Sequence, residues 1–252
     1  MGLSKFAFMV LACVPAVAWA ATPYSAEVQC PIGGAIFKVT RTASMGTYGQ
    51  RLDGKAYTSW ISPPPLAVCP NGFVVFKDPA TFTPAEKERF ASIIASETFR
   101  RRTTEESPYY RLYVLLDLDS IEREKSELWW YLLQASWEVD TDPVKHARYQ
   151  REFLVAVDIA LAALNPRMDT DDRWYAQLLA INAQRQLGNF EEAQARLKVL
   201  PVDTLPADSP IAERAKLLAD LLKSKDASLE PDAALPRIVR MQRENTKASV
   251  GK

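Results

Sequence analysis

The sequence predicts an α+β fold: a small N-terminal β-ribbon followed by a mostly helical, repeat-like array. Three observations predict it. Glycine and short apolar runs concentrate before residue 80, where five of the nine glycines lie between Gly33 and Gly54. From Thr83 onward apolar residues recur at helical spacing, and the segments open on Ser, Thr or Asp followed by Pro. Two echoes, Cys30-Pro31-Ile32-Gly33-Gly34 and Cys69-Pro70-Asn71-Gly72-Phe73, mark two tight turns inside the glycine-rich part.

Residues 1–20 read as a secretory signal. Lys5 is the positive start, Phe6 to Val17 is apolar, and Ala18-Trp19-Ala20 is an A-x-A cleavage site leaving Ala21 first. The apolar run is shorter than the ~20 residues a spanning helix needs. An alternative is lipid anchoring through Cys13, since Val10-Leu11-Ala12-Cys13 resembles a lipobox. The apolar run continues past Cys13, which favours simple cleavage. No later segment is apolar enough to span a membrane, so the expectation is a periplasmic or secreted protein with no integral membrane segment.

Residues 21–82 form the expected β-ribbon domain. Ala35 to Thr40 and Val74 to Phe76 are strand-like, and Pro63-Pro64-Pro65 between them is extended polyproline. Each Cys-Pro turn looks like half of a zinc knuckle, Cys-Pro-x-Cys-Gly, whose second cysteine is missing, so the ribbon is degenerate zinc-ribbon-like. Only Cys30 and Cys69 remain after residue 20. In an oxidising compartment an even pair is read as a disulfide, closing the β-ribbon.

Residues 83–225 form the expected helical domain. Thr83-Pro84-Ala85-Glu86 combines an N-cap, a first-turn Pro and a capping-box Glu. Phe90, Ile93 and Ile94 follow at helical spacing. Ser107-Pro108 opens a second helix with Tyr109, Leu112, Tyr113, Leu116 and Ile121 along one side. Leu128 to Trp137 is a third, Asp142-Pro143 caps a fourth to about Leu164, and Asp171 or Asp172 starts a fifth through Gln186. Glu191 to Leu200 is a sixth, and Ser209-Pro210 opens a seventh to Lys223. Residues 226–252 read as a weakly ordered polar tail.

Leu187-Gly188-Asn189-Phe190-Glu191-Glu192-Ala193 has the pattern of the turn inside a tetratricopeptide unit: Gly for the turn, an aromatic behind it, and a small Ala where two helices approach. Pro166 and Pro201 end successive helices 35 residues apart, close to the ~34 of this repeat class. The array is therefore expected to be tetratricopeptide-like, with one clear unit.

On these residues the chain resembles the bacterial DUF2225 proteins, a family of unknown function. The resemblance rests on Cys30-Pro31-Ile32-Gly33-Gly34, on Val68 to Phe73 followed by Phe76-Lys77-Asp78 and a helix, and on Gly46 to Asp53. It covers about residues 28–100; the helical part matches only by type. The resemblance implies zinc-ribbon-like knuckles followed by a tetratricopeptide-like region, and no settled activity. This chain departs from it by keeping one of each knuckle's two cysteines. Thiolates around one zinc lie close together, so the surviving cross-knuckle pair is placed for a disulfide.

The charges narrow the partners. With one lysine in residues 1–20, 30 basic and 31 acidic residues remain, and they are well mixed. That balance argues against nucleic acid or an anionic membrane surface. Catalytic signatures are missing: there is no G-x-S-x-G, H-E-x-x-H or P-loop. His146 is the only histidine, and its lone place on a charged helix face reads as solvated. No cofactor and no metal ligand set are expected. The candidate partner-binding residues are the helical aromatics Trp129, Trp130, Trp174 and Tyr175, with Arg51 and Asp53 in a glycine-bounded loop. The leading expectation is a non-enzymatic scaffold or adaptor of the bacterial envelope, binding a protein or peptide through its helical region. A zinc-binding module with a reduced ligand set and a cell-wall-acting hydrolase are the alternatives.

Overall fold

A computed structural model describes residues 21–119, 127–163, 170–202, 205–206 and 209–250. The expected signal, Cys13, Ile121 and Pro166 lie outside the described residues. The fold is α+β and mostly helical, with β-hairpins first and helices after.

Among the described residues six strands make three separate antiparallel ribbons. Strands β1 (Pro23–Gln29) and β2 (Ile36–Thr42) pair along their whole length. Strands β3 (Thr47–Gln50) and β4 (Ala56–Thr58) flank a tight turn, and β5 (Ala67–Val68) and β6 (Val74–Val75) flank the second Cys-Pro turn. The two Cys-Pro turns share a construction. Cys30 donates its N–H to Ala35 at 2.8 Å, and Cys69 donates its N–H to Phe73 at 2.8 Å. Gly33, Gly34 and Gly72 take positive φ in these turns, conformations that side chains disfavour. Asn71 bridges them, donating Nδ2–H to the Ile32 carbonyl at 2.9 Å.

The helices begin where the punctuation placed them. Helix α1 (Pro84–Ala95) starts at Thr83 with both bonds of the capping box. Ser96 ends α1 and starts α2 (Glu97–Thr103): its hydroxyl donates to the Ile93 carbonyl at 2.7 Å and accepts from Phe99 N–H at 3.1 Å. That serine splits the single helix expected after Thr83 into two. Helices α3 (Pro108–Leu118), α4 (Leu128–Glu138), α5 (Pro143–Ala162), α6 (Thr170–Gln186), α7 (Phe190–Lys198) and α8 (Pro210–Lys223) follow. Successive members pack on one another from α3 to α8. At the α6–α7 turn Gly188 has φ +79°, Phe190 packs behind it, and Ala193 is fully buried at the helix contact.

The C-terminal segment differs from the expected weakly ordered tail. It carries a short turn at Asp232–Ala234 and a helix α9 (Arg237–Val250). Leu235 and Val239, four residues apart, are buried, so a short apolar stripe pins an otherwise polar segment. Pro236 lies against Gly49, where an added Cβ would meet its Cγ at 2.6 Å.

One hydrophobic core runs through both parts of the chain. It joins Val28, Cys30, Ile32, Cys69 and Phe73 of the ribbons to Phe90, Leu112, Leu132, Tyr149 and Phe153 of the helices. Phe73, Phe76, Phe82 and Phe90 interlock mostly edge to face, with ring centroids 5.4–6.3 Å apart. A second core lies among α6, α7 and α8 and includes Leu52 from the β3–β4 turn.

Candidate functional site

Cys30 and Cys69 form a disulfide, with Cα atoms 5.9 Å apart. Both thiols that a zinc knuckle would use are thus joined to each other. No group of three His, Cys, Asp or Glu side chains comes together among the described residues. The described residues do not fit a thiolate-bound metal.

Arg51 and Asp53 are 4% and 1% exposed, which corrects their reading as partner contacts. The β3–β4 turn inserts them between helices. Arg51 donates to Asp53 through Nε (3.0 Å to Oδ1) and Nη2, and to Asp140 through Nη1 at 2.7 Å. Lys55 donates Nζ–H to Asp140 at 2.6 Å and to the Trp137 carbonyl at 2.7 Å. Arg214 of α8 donates to the Arg51 carbonyl at 3.0 Å. Two cations and two carboxylates therefore satisfy one another where charge would otherwise be costly. Burial pulls the Arg51 guanidinium down, but Asp53 and Asp140 outweigh it and hold the cation above its ordinary value. Burial likewise pushes the Asp140 carboxyl up, and the bonds and charges of Arg51 and Lys55 bring it below the usual carboxylate range. The glycine-bounded loop was visible in the sequence. Its true partner, Asp140, stands 89 residues away from Arg51 and carries no local signal.

The aromatics divide. Trp129 and Trp130 pack against the core: Trp129 against Phe153 with centroids 6.2 Å apart, Trp130 edge to face on Trp137 at 5.6 Å. Tyr175 is half-buried under the Arg214 guanidinium at 5.3 Å, with its hydroxyl 2.9 Å from where a Cβ on Gly54 would sit. These three are half-buried, each packed in part against the core. Trp174 is half-buried at the start of α6.

A further cluster, with no local signal in the sequence, lies between α3 and α5. Tyr110 and Tyr149 stack with centroids 4.4 Å apart, and Arg148 lies over both rings at 5.0 Å. The Tyr149 hydroxyl donates to Glu106, and the Tyr110 hydroxyl donates to Glu152 at 2.8 Å. Each group is satisfied by its neighbour, so the cluster reads as an interhelical clasp. His146 was expected to be solvated, yet its Nε2 is buried without a hydrogen-bond partner among the described residues. Burial lowers its pKa below the ordinary value.

Two surface features remain. On α5, Val144, Val155 and Ile159 are 78%, 62% and 65% exposed. Under the β1–β2 hairpin lies a cleft of about 1180 Å³, bordered by Tyr24, Val39 to Thr42, Trp60, Pro64, Pro65 and Phe76. Its one carboxylate, Asp78, already accepts the Ala80 N–H at 2.9 Å. A pair of carboxylates for acid–base hydrolysis is therefore not gathered there.

These features define a disulfide-closed α+β protein with a stacked helical array, no helix of which, among the described residues, is long and apolar enough to cross a membrane. Compared with family models, curated proteins and solved structures, the chain matches none.

Proposed function

We propose that this protein is a non-enzymatic scaffold or adaptor of the bacterial envelope, exported and binding a protein partner through its helical region. One observation carries the reading. Val155 and Ile159 stack one turn apart on the solvent side of α5, where a helix packed on only one side is expected to be polar. Val144 lies on the same helix, and Trp174 remains half-exposed at the start of the adjacent α6. Apolar and aromatic groups left to solvent are the usual anchors of protein interfaces.

Export is supported by the Cys30–Cys69 bridge, since disulfides persist in oxidising compartments. Kinship with the DUF2225 proteins is supported by the two Cys-Pro turns lying face to face, as two zinc knuckles would.

The double variant Val155→Glu/Ile159→Glu and, separately, Trp174→Ala test the binding reading. Each should keep its helical circular dichroism and lose the partner captured by wild type from crosslinked envelope extract. Undiminished capture by the folded variants would refute the α5 site.

A further inference from the structure

We propose that the cleft beneath the β1–β2 hairpin binds an extended peptide segment of a partner protein, added as a third strand along the free edge of β2. This site is separate from the α5 face and does not depend on it.

The backbone names the occupant. Among the described residues strands β1 and β2 form a two-stranded sheet of their own, so β2 has one paired edge and one open edge. Cys30 bonds to Ala35 and Ala43 bonds to Thr22, which fixes the alternation of the ladder between them. Phe37, Val39 and Arg41 turn their N–H and C=O groups toward β1. Ile36, Lys38, Thr40 and Thr42 turn theirs outward. A row of unpaired donors and acceptors at strand spacing is complementary to another strand and to little else.

The cleft opens along that same edge. Four consecutive residues, Val39, Thr40, Arg41 and Thr42, border it. A wall made only by one face of a strand would be contributed by alternate residues. A consecutive run is what an edge, backbone included, contributes, while Tyr24 of β1, paired with Arg41, adds the face of the sheet. The lining also holds Pro64 and Pro65, which have no N–H to offer. Pro64 is fixed in place by the Tyr109 hydroxyl, which donates to the Pro64 carbonyl at 3.0 Å. An entering peptide thus pairs on its β2 side and meets apolar surface elsewhere in the cleft.

The side chains state the peptide's character. Leu66, Val75 and Phe76 line the cleft, and Tyr24, Met45 and Ile61 at its rim are 46%, 44% and 56% exposed. Alternate apolar residues of a strand would cover these groups. Arg41 borders the cleft with no ion-pair or side-chain hydrogen-bond partner among the described residues. The other cation, Lys77, is already bonded to Glu86 at 2.5 Å. The lone guanidinium therefore selects an acidic residue in the peptide. Lys38, on the same open edge, disfavours pairing of two β2 edges in register, since like charges would meet.

The test uses the full protein and a displayed library of random linear octapeptides. Enriched peptides should alternate apolar residues and carry an acidic residue. Amide exchange followed by NMR should then show the Lys38, Thr40 and Thr42 N–H groups slowed on binding, with Val39 and Arg41 already slow in the free protein. Thr40→Pro removes an outward donor without touching the β1 ladder and should weaken the peptide about tenfold or more, as should Arg41→Glu. Val155→Glu/Ile159→Glu should leave it unchanged. No enrichment, peptides without alternation, or unchanged exchange at Thr40 and Thr42 would overturn the proposal. So would a dimer in sedimentation that Thr40→Pro abolishes, because the edge would then belong to a second copy.

Discussion

Asp53 and His146 show how burial turns ordinary side chains into determinants of stability. Asp53 is 1% exposed and is half of what neutralises Arg51. Asp53→Ala leaves that cation with only the more exposed Asp140. The expected cost is about 3 kcal/mol, as for breaking a buried ion pair from one side, read as a drop in the urea midpoint. His146 sets a pH dependence. Its native pKa lies below its unfolded value because burial disfavours the imidazolium. As pH falls through about 6.5, the unfolded chain takes up a proton that the native state resists, so stability declines. His146→Gln should flatten the part of the decline that sets in as pH falls below about 6.5; an identical pH profile for the variant would show that His146 contributes nothing. Neither role was legible locally. Arg51 and Asp53 stood out for their glycine-bounded loop, which also suits an exposed recognition turn, and only the distant Asp140 decides between the two.

At the scale of elements, boundaries written in local chemistry were readable and those set by tertiary contact were not. Thr83-Pro84, Ser107-Pro108, Asp142-Pro143 and Ser209-Pro210 each open a helix because Pro fits the first turn and the preceding residue is already extended. Ser96 looks unremarkable in the sequence, since the apolar spacing runs past it, yet its two hydrogen bonds break the helix. Helix α9 escaped because two buried residues, Leu235 and Val239, make a weak stripe. The β3–β4 turn gives a sharp test. Gly54 and Gly72 have nearly the same φ, +88° and +87°, but a Cβ on Gly54 would meet Tyr175 Oη at 2.9 Å and one on Gly72 would meet nothing within 4 Å. Gly72→Ala should cost about 1–2 kcal/mol from its backbone alone. Gly54→Ala should cost clearly more in the same urea titration, because the turn must also withdraw from α6. Equal costs would mean that the turn is not seated where Tyr175 and Trp137 press on it.

Over the whole molecule the sequence reads as two textures, and the expected boundary at residues 82 and 83 follows that change of texture. The packing crosses it. Phe73, Phe76 and Phe82 lock onto Phe90, Tyr109 reaches back to Pro64, and Leu52 enters the core of α6 to α8. Contacts between residues this far apart leave no periodic trace, so the union of the two parts could not be read from spacing. Closing the chain between Cys30 and Cys69, 39 positions apart, adds about 4 kcal/mol by the chain-entropy estimate. The two proposed binding sites, the α5 face and the open edge of β2, lie outside this union.

The ribbons and helices form one cooperative unit, bolted by the buried 51–55 turn. Equilibrium unfolding of the disulfide-intact protein in urea tests it, followed at once by helical circular dichroism and by amide exchange of the β1–β2 ladder. Coincident transitions, moving together to lower urea in Asp53→Ala, are the predicted result. Loss of the β1–β2 amides in a separate, earlier transition, with the helices unmoved by Asp53→Ala, would contradict it.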